Sequence, residues 1–310
     1  MMTPAVHIQD LTKEFSTDFW KPKSRVLEGL TLSVREGGIF GLVGPNGAGK
    51  TTTIKILLGL LRPTSGSARI FGHSVSEIGF KKDVGYLPEN AYYYEFLRAR
   101  EILDFYGRLF GLSRSERARR TEELLGLVGL SKDRDLKLRF FSKGMFQRIG
   151  IAQALVNDPK LVILDEPMSG LDPIGRKEMR DIILKLAEQG KTVFFSSHIL
   201  SDVEAICDDV AILVRGKLKA SGSLGELVRS GVKSMEIVFE GSGPASHPEK
   251  WEGRVSLRVV GRQFVLSTRE SELLPEILSW GSQKGFALVS VVPQRESLED
   301  LFMEHVGAAS

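Results

Sequence analysis

The amino-acid sequence predicts an α/β fold: a mixed sheet with flanking helices, a helical subdomain and a small carboxyl-terminal α+β appendage. Three observations predict it. Gly44-Pro45-Asn46-Gly47-Ala48-Gly49-Lys50-Thr51 fits G-x-x-x-x-G-K-[ST] at every fixed position. That octet lies between a short apolar run, Gly38 to Val43, and a segment of helical apolar spacing, Thr52 to Leu61. Two further apolar runs, Leu161-Val162-Ile163-Leu164 and Val193-Phe194-Phe195, have the character of strands buried on both faces of a parallel sheet. A helix predicted over Gly175 to Glu188 separates them, which is a βαβ rhythm.

The elements follow in order. Val6-His7-Ile8, Leu30 to Val34 and Ile39 to Val43 read as strands, and Phe15 to Ser24, with Phe19, Trp20 and Pro22, as an exposed loop. Ala68 to Phe71 and Val84 to Tyr86 are further short strands. From about Arg98 to Asn157 the pattern is helical, with Ile102, Phe105, Tyr106 and Leu109 on one stripe and Leu124, Leu127 and Val128 on another. After Gly222 the chain changes character, punctuated by Gly231, Gly241-Ser242-Gly243-Pro244 and His247-Pro248. Met235 to Phe239, Val255 to Val260, Phe264 to Leu266 and Ala287 to Val292 read as strands, and Leu273 to Ser282 and Ser297 to Val306 as helices.

Composition bounds the classes. The 310 residues suffice for one large domain or two smaller ones, and 42% hydrophobic with 26% charged residues is ordinary for a globular protein. A net charge of +3 is too small to indicate nucleic acid. A single cysteine, Cys207, excludes an internal disulfide framework and reads as a small buried hydrophobe. No run of 18 apolar residues predicts a membrane span, and Met1 to Asp10 lacks a signal-peptide core. A cytoplasmic location follows, with any membrane role exercised through a partner.

The chemistry concentrates in two places. In the glycine loop, backbone N–H groups turn inward around a phosphate, Lys50 supplies a point charge, and the Thr51 hydroxyl is a ligand for Mg²⁺. The helix that starts there adds unpaired N–H groups and the positive end of its dipole. Leu161 to Leu164 then ends in Asp165-Glu166-Pro167. Asp165 at a strand end can hold the Mg²⁺ shell through water, and Glu166 is placed to polarise a water for attack on a γ-phosphate.

A third element, Phe141-Ser142-Lys143-Gly144-Met145-Phe146-Gln147-Arg148, opens a helix predicted to run to Asn157. Here the chain resembles the nucleotide-binding subunit of ABC transporters, whose signature is LSGGQ followed by x-Q-R. It departs at Phe141, Lys143 and Met145 and keeps Ser142, Gly144, Gln147 and Arg148. Such FSKGM variants look like ATPases of the ABC-2 branch, as does the ending Ser297 to Phe302. The resemblance spans residues 5 to 222. It implies a P-loop NTPase core over 1–222, a helical subdomain at about 90–157, and an accessory domain over 223–310.

The resemblance also implies ATP and Mg²⁺ as cofactors and hydrolysis in a head-to-tail pair. Gly44, Pro45, Asn46, Gly47, Ala48, Gly49, Lys50, Thr51 and Thr52 would hold the nucleotide. Ser142 and Gly144 of the other copy would cap its γ-phosphate, with Lys143 adding positive charge nearby. Asp172, in the D-loop match Ser169-Gly170-Leu171-Asp172, would touch the partner's site, and His198, in Ser196-Ser197-His198, would sense the γ-phosphate. The Q-loop glutamine falls on Glu89, a third candidate metal ligand beside Thr51 and Asp165. Phe15 best matches the adenine-stacking aromatic, with Phe19 and Trp20 in competition.

The implied partners are a second ATPase subunit and integral membrane transporter subunits on the cytoplasmic face of the cell membrane. Residues 98 to 148 hold 13 Lys/Arg against 7 Asp/Glu, and Tyr92-Tyr93-Tyr94 with Phe96 precedes them. That region reads either as a solvated helical face and packing, or as a surface towards those membrane subunits or anionic lipid. No direct nucleic-acid partner is expected. A soluble ABC-type ATPase acting on nucleic acid or ribosomes is the alternative. Against it, Lys50 and Asp165 are only about 115 residues apart in sequence, and one cassette is present. A kinase or GTPase lacks support, because no Asn-Lys-x-Asp motif occurs.

Overall fold

A computed structural model describes residues 3–16, 24–228, 232–241, 248–295 and 297–307. Phe19, Trp20, Pro22, Gly231, Ser242, Gly243, Pro244 and His247 lie outside the described residues. The chain divides into two compact units, with a boundary between Leu224 and Gly225.

The strands of the first unit are β1 (Val6–Phe15), β2 (Ser24–Val34), β3 (Gly38–Val43), β4 (Ser65–Ile70), β5 (His73–Ser74), β6 (Val84–Leu87), β7 (Leu161–Asp165), β8 (Thr192–Ser197), β9 (Asp209–Val214) and β10 (Lys217–Ser223). Its helices are α1 (Lys50–Leu57), α2 (Ala99–Leu109), α3 (Arg114–Leu127), α4 (Lys143–Ala154), α5 (Pro173–Glu188) and α6 (Leu200–Glu204), followed at the boundary by α7 (Leu224–Leu227). One sheet runs β2-β1-β4-β5 and is antiparallel. The other runs β10-β9-β3-β8-β7-β6, parallel from β9 to β6. Leu161 to Leu164 and Val193 to Phe195 are fully buried in its centre. Each such side chain contributes about 1.5–3 kcal/mol relative to exposure.

The parallel register sets the site. Val43 pairs with Ser197 and Asp165 with Ser196, so the carboxyl ends of β3, β8 and β7 finish level. Ligands of open α/β sheets bind at such ends.

Several elements differ from expectation; β1 and β2 run longer, to Phe15 and from Ser24. Helix α1 begins at Lys50 and ends at Leu57, instead of running from Thr52 to Leu61. Gly59 adopts φ +65°, its N–H donates to Ile56 O (2.9 Å), and Leu60 N–H donates to Lys55 O (2.9 Å). That pair of bonds is a Schellman stop, and it leaves Leu60 63% exposed. Helix α4 ends at Ala154, short of Asn157. Strands β9 and β10 were not expected; β9 closes the parallel sheet beside β3.

The second unit, Gly225–Glu304, is built on the antiparallel sheet β12 (Val255–Val260), β13 (Gln263–Thr268), β11 (Val232–Glu240), β14 (Ala287–Arg295), in that order, with α8 (Leu274–Gln283) against β14. Phe239, Phe264, Leu266, Trp251 and Ile277 form its core. Helix α9 (Leu298–Gly307) ends the described chain.

Candidate active site

The glycine loop leaves β3 at Gly44, whose N–H donates to Ser197 O (3.2 Å), and enters α1 at Lys50. Gly49 makes that entry possible. Its φ is +106°, and a β-carbon there would stand 2.6 Å from Leu27 Cδ2 and 3.0 Å from Val26 O. No side chain caps α1 and no acid occupies its first turn, so its N–H groups and positive dipole end face the cleft uncompensated.

Lys50 is 6% exposed and fully engaged. Its Nζ donates to Gly44 O (2.7 Å) and Pro45 O (3.3 Å) and stands 3.0 Å from Glu166 Oε1. That accounts for all three ammonium protons. The other Glu166 oxygen is 2.8 Å from His198 Nδ1. An arriving phosphate must therefore take Lys50 from Glu166 or from the two carbonyls. A buried ion pair separated without replacement costs several kcal/mol, so an incoming anion has to supply that replacement.

Glu166 has φ +51°, a left-handed conformation that a non-glycine residue holds only under constraint. The constraint is visible. Glu166 N–H donates to Ser196 Oγ (2.9 Å), and the same hydroxyl donates to Asp165 Oδ1 (2.6 Å). Asp165 is 1% exposed and also accepts from Thr51 Oγ1 (3.3 Å). Burial holds the Asp165 carboxyl above its ordinary range, while the Ser196 and Thr51 hydroxyls pull it back. Thr51 and Asp165 thus present oxygen ligands side by side, the donor set that suits Mg²⁺. Among the described residues no cluster of three or more His, Cys, Asp or Glu could hold an ion alone.

Asn46, Gly47, Ala48, Gly49, Lys50, Thr51, Thr52, Glu89, Glu166 and His198 line one cleft of about 330 Å³, together with Val26 and Ser169. Sequence reasoning did not pick out Val26, an aliphatic in a strand with no motif around it. Ser196 was quoted only as the neighbour of His198, yet it organises both acids. Seven candidates are not in that lining: Gly44, Pro45 and Asp165, which are hydrogen-bonded to Lys50 or Thr51 behind it, and Phe15, Asp172, Ser142 and Gly144. Phe15 carries Lys13 Nζ 5.0 Å over its ring. Asp172 caps α5, accepting from Gly175 N–H (2.9 Å). Ser142 caps α4, accepting from Met145 N–H (3.2 Å), and Gly144 faces open space. Helix α4, like α1, has no acid in its first turn.

This arrangement can hold a triphosphate and direct a water at it. The sequence model described as ABC transporter matches residues 27–169. An ABC transporter ATP-binding protein of Synechocystis is 45% identical over 97% of this chain and 84% of its own. The chain belongs to the ABC transporter family.

It is an ATP-binding subunit of that family, and its reaction is ATP hydrolysis. The bacitracin transport ATP-binding protein BcrA of Bacillus licheniformis is 34% identical, over 100% of this chain and 99% of its own. The linearmycin resistance ATP-binding protein LnrL of Bacillus subtilis is 37% identical, over 92% and 94%. Among solved structures, an ATP-binding subunit of an ABC transporter is similar with a TM-score of 0.63 and 33% identity, over 72% of this chain and 91% of that one. A dimeric post-hydrolysis state of the ATP-binding cassette MJ0796, bound to ADP and Pi, has a TM-score of 0.64 at 25% identity, over 71% and 98%. Both solved chains fall well short of the full length of this ABC ATPase. Among its described residues no helix is long and apolar enough to cross a membrane.

Proposed function

We propose that this ATPase works as a head-to-tail pair with a second copy, closing on two Mg-ATP molecules to drive export through separate membrane subunits. One observation carries the reading. Lys50, Thr51, Glu166 and His198 line one cleft, with Asp165 hydrogen-bonded to Thr51 behind it, whereas Ser142 and Gly144 stand outside its lining, open and acid-free. A phosphate held by the first set has a free side for the second set of another copy.

In each site Lys50 and the N–H groups of Asn46 to Thr52 bind the β- and γ-phosphates. Thr51, Asp165 and Glu89 would hold Mg²⁺, which when bound neutralises charge on the phosphate oxygens. Glu166, released from Lys50, accepts a proton from water as that water's oxygen bonds to the γ-phosphorus. The bond from the γ-phosphorus to the bridging oxygen breaks, and ADP and phosphate leave. His198 holds Glu166 and reports on the γ-phosphate. Because ATP bridges both copies and ADP lacks the bridging group, closure follows the nucleotide. Val26 is better placed than Phe15 to meet the base or ribose, since it lines the cleft.

The names of two relatives, for bacitracin transport and linearmycin resistance, support the outward direction. The surface proposed for the membrane subunit centres on Tyr92, Tyr94 and Phe96, which are 93%, 58% and 65% exposed. Tyr93 anchors it from inside, packed on Tyr106 and Phe146. The second unit is an accessory domain in this scheme.

The test is Glu166→Gln with Mg-ATP. Turnover should fall about 10²- to 10⁴-fold, the usual worth of a general base, while sedimentation shows an ATP-dependent dimer. A monomer at saturating nucleotide, alone and with membrane subunits, would exclude the shared site. Lys50→Ala should weaken ATP binding about 10- to 100-fold by titration calorimetry, from the loss of charge-assisted phosphate bonds.

A further inference from the structure

Lys143 has no task in the reaction above, and its position is odd. It opens α4, where the helix dipole already presents positive charge. Among the described residues it makes no ion pair. Although exposed, its side chain reaches across to Gly170. A β-carbon built on Gly170 would overlap the Lys143 ammonium and stand 3.3 Å from its Cε and 3.8 Å from its Cδ. Gly170 has φ +66°, so its backbone favours glycine there. On one side of Gly170 is Ser169, which lines the cleft; on the other is the Leu171-Asp172 stretch that caps α5.

We propose that Lys143 is a positioning residue that ties the signature turn to the D-loop of its own protomer, and so passes the state of one nucleotide site to the other. The inference rests on the head-to-tail reading. There Ser142 and Gly144 meet the partner's triphosphate, while Ser169 faces the protomer's own. When the partner binds ATP and draws in the signature turn, the arm of Lys143 bears on Gly170 and shifts Ser169. The lever is the reach of the side chain: the ammonium lies nearest Gly170, with Cε and Cδ stacked behind it.

Two substitutions separate arm from charge. Lys143→Met keeps atoms at the Cδ and Cε positions and drops the charge; Lys143→Ala removes both. The readout is ATPase rate against ATP concentration. Wild type should give a Hill coefficient approaching about 2, the number of coupled sites. Lys143→Met should keep that value, and Lys143→Ala should fall to about 1. An unchanged coefficient in Lys143→Ala, or a coefficient of 1 in wild type, overturns the proposal. Equal loss in both variants also overturns it, and moves Lys143 to a charge contact with the partner's phosphate. Sedimentation of Glu166→Gln and of Glu166→Gln/Lys143→Ala with Mg-ATP separates the two levels. No dimer in the first sinks the shared-site reading itself. A dimer in both, with cooperativity intact in Lys143→Ala, sinks only the coupling.

Discussion

Two helices of the ATPase unit begin alike and end up with different jobs. Helix α3 starts Ser113-Arg114-Ser115-Glu116, and α4 starts Ser142-Lys143-Gly144-Met145. Both serines cap, at φ −62° and −65° and ψ 162° and 163°, and both accept from the N–H three residues on. A basic residue and a small residue follow each serine. The difference lies at the fourth position. Glu116 reaches back to accept from Ser113 N–H (2.8 Å), completing a capping box and placing an anion on the positive helix end. Met145 does neither. One start is closed by its own carboxylate, and the other is left to receive a foreign anion. A helix start is thus a structural cap or a phosphate receptor according to one side chain.

The largest effect should come from making α4 resemble α3. Met145→Glu would place a carboxylate where the proposed γ-phosphate binds and should lower kcat/KM about 10- to 100-fold, from a lost charge-assisted contact and added repulsion. Met145→Gln offers the same reach without charge, and it is the residue of the LSGGQ signature. It should stay within about 3-fold of wild type, because a capping box accepts glutamine equally. Steady-state ATPase assays check both. Equal activity of the two variants would mean that the acid-free start of α4 has no role in catalysis.

A smaller, paired effect comes from the serines. Ser113→Ala should cost about 1 kcal/mol, the typical loss of a serine cap, and lower the melting temperature by about 2–4 °C, with turnover unchanged. Ser142→Ala should cost similar stability and also lower turnover about 10-fold, as expected for one phosphate contact. Calorimetry and ATPase assays on the same preparations decide. Parallel losses in both properties for both variants would erase the contrast between the two starts.

How much of this was legible in the sequence depends on whether the signal was local. The phosphate loop, the acids after β7 and the serine that caps α4 each sit in a contiguous pattern, and each lies where its pattern puts it. The stop of α1 was also written locally, in Leu58-Gly59-Leu60, but a strong apolar run hid it. Phe15 and Val26 show the limit. They lie on β1 and β2, whose pairing carries register shifts at three places between Ile8 and Glu14. Each irregularity can change which face a side chain takes, so side-chain alternation cannot say which of the two reaches the cleft. Strand β9 was hidden differently. Asp208-Asp209 opens it, and Asp208 Oδ2 accepts from Ile39 N–H (2.8 Å), so a residue pair that reads as a loop is a tether to β3.

The smallest effect tests whether charge, and not hydrogen bonding alone, closes α3. The Glu116 carboxyl lies below the usual glutamate range, held there first by its bond with the Ser113 side chain, then by Ser113 N–H and by Arg119. A carboxyl with a lowered folded pKa adds stability that is fully present above its unfolded pKa. That stability disappears as pH falls through the folded pKa. Glu116→Gln keeps the reach and removes the titration. The stability difference between wild type and variant should therefore be constant above about pH 5 and shrink steadily below it, in urea unfolding followed from pH 7 to pH 3. Other carboxylates titrate in the same window, but they do so in both proteins and cancel in the difference. A difference that stays flat to pH 3 would mean that the Glu116 charge contributes nothing to the cap. The contrast with Met145 would then reduce to hydrogen bonding, and Met145→Glu should be no worse than Met145→Gln.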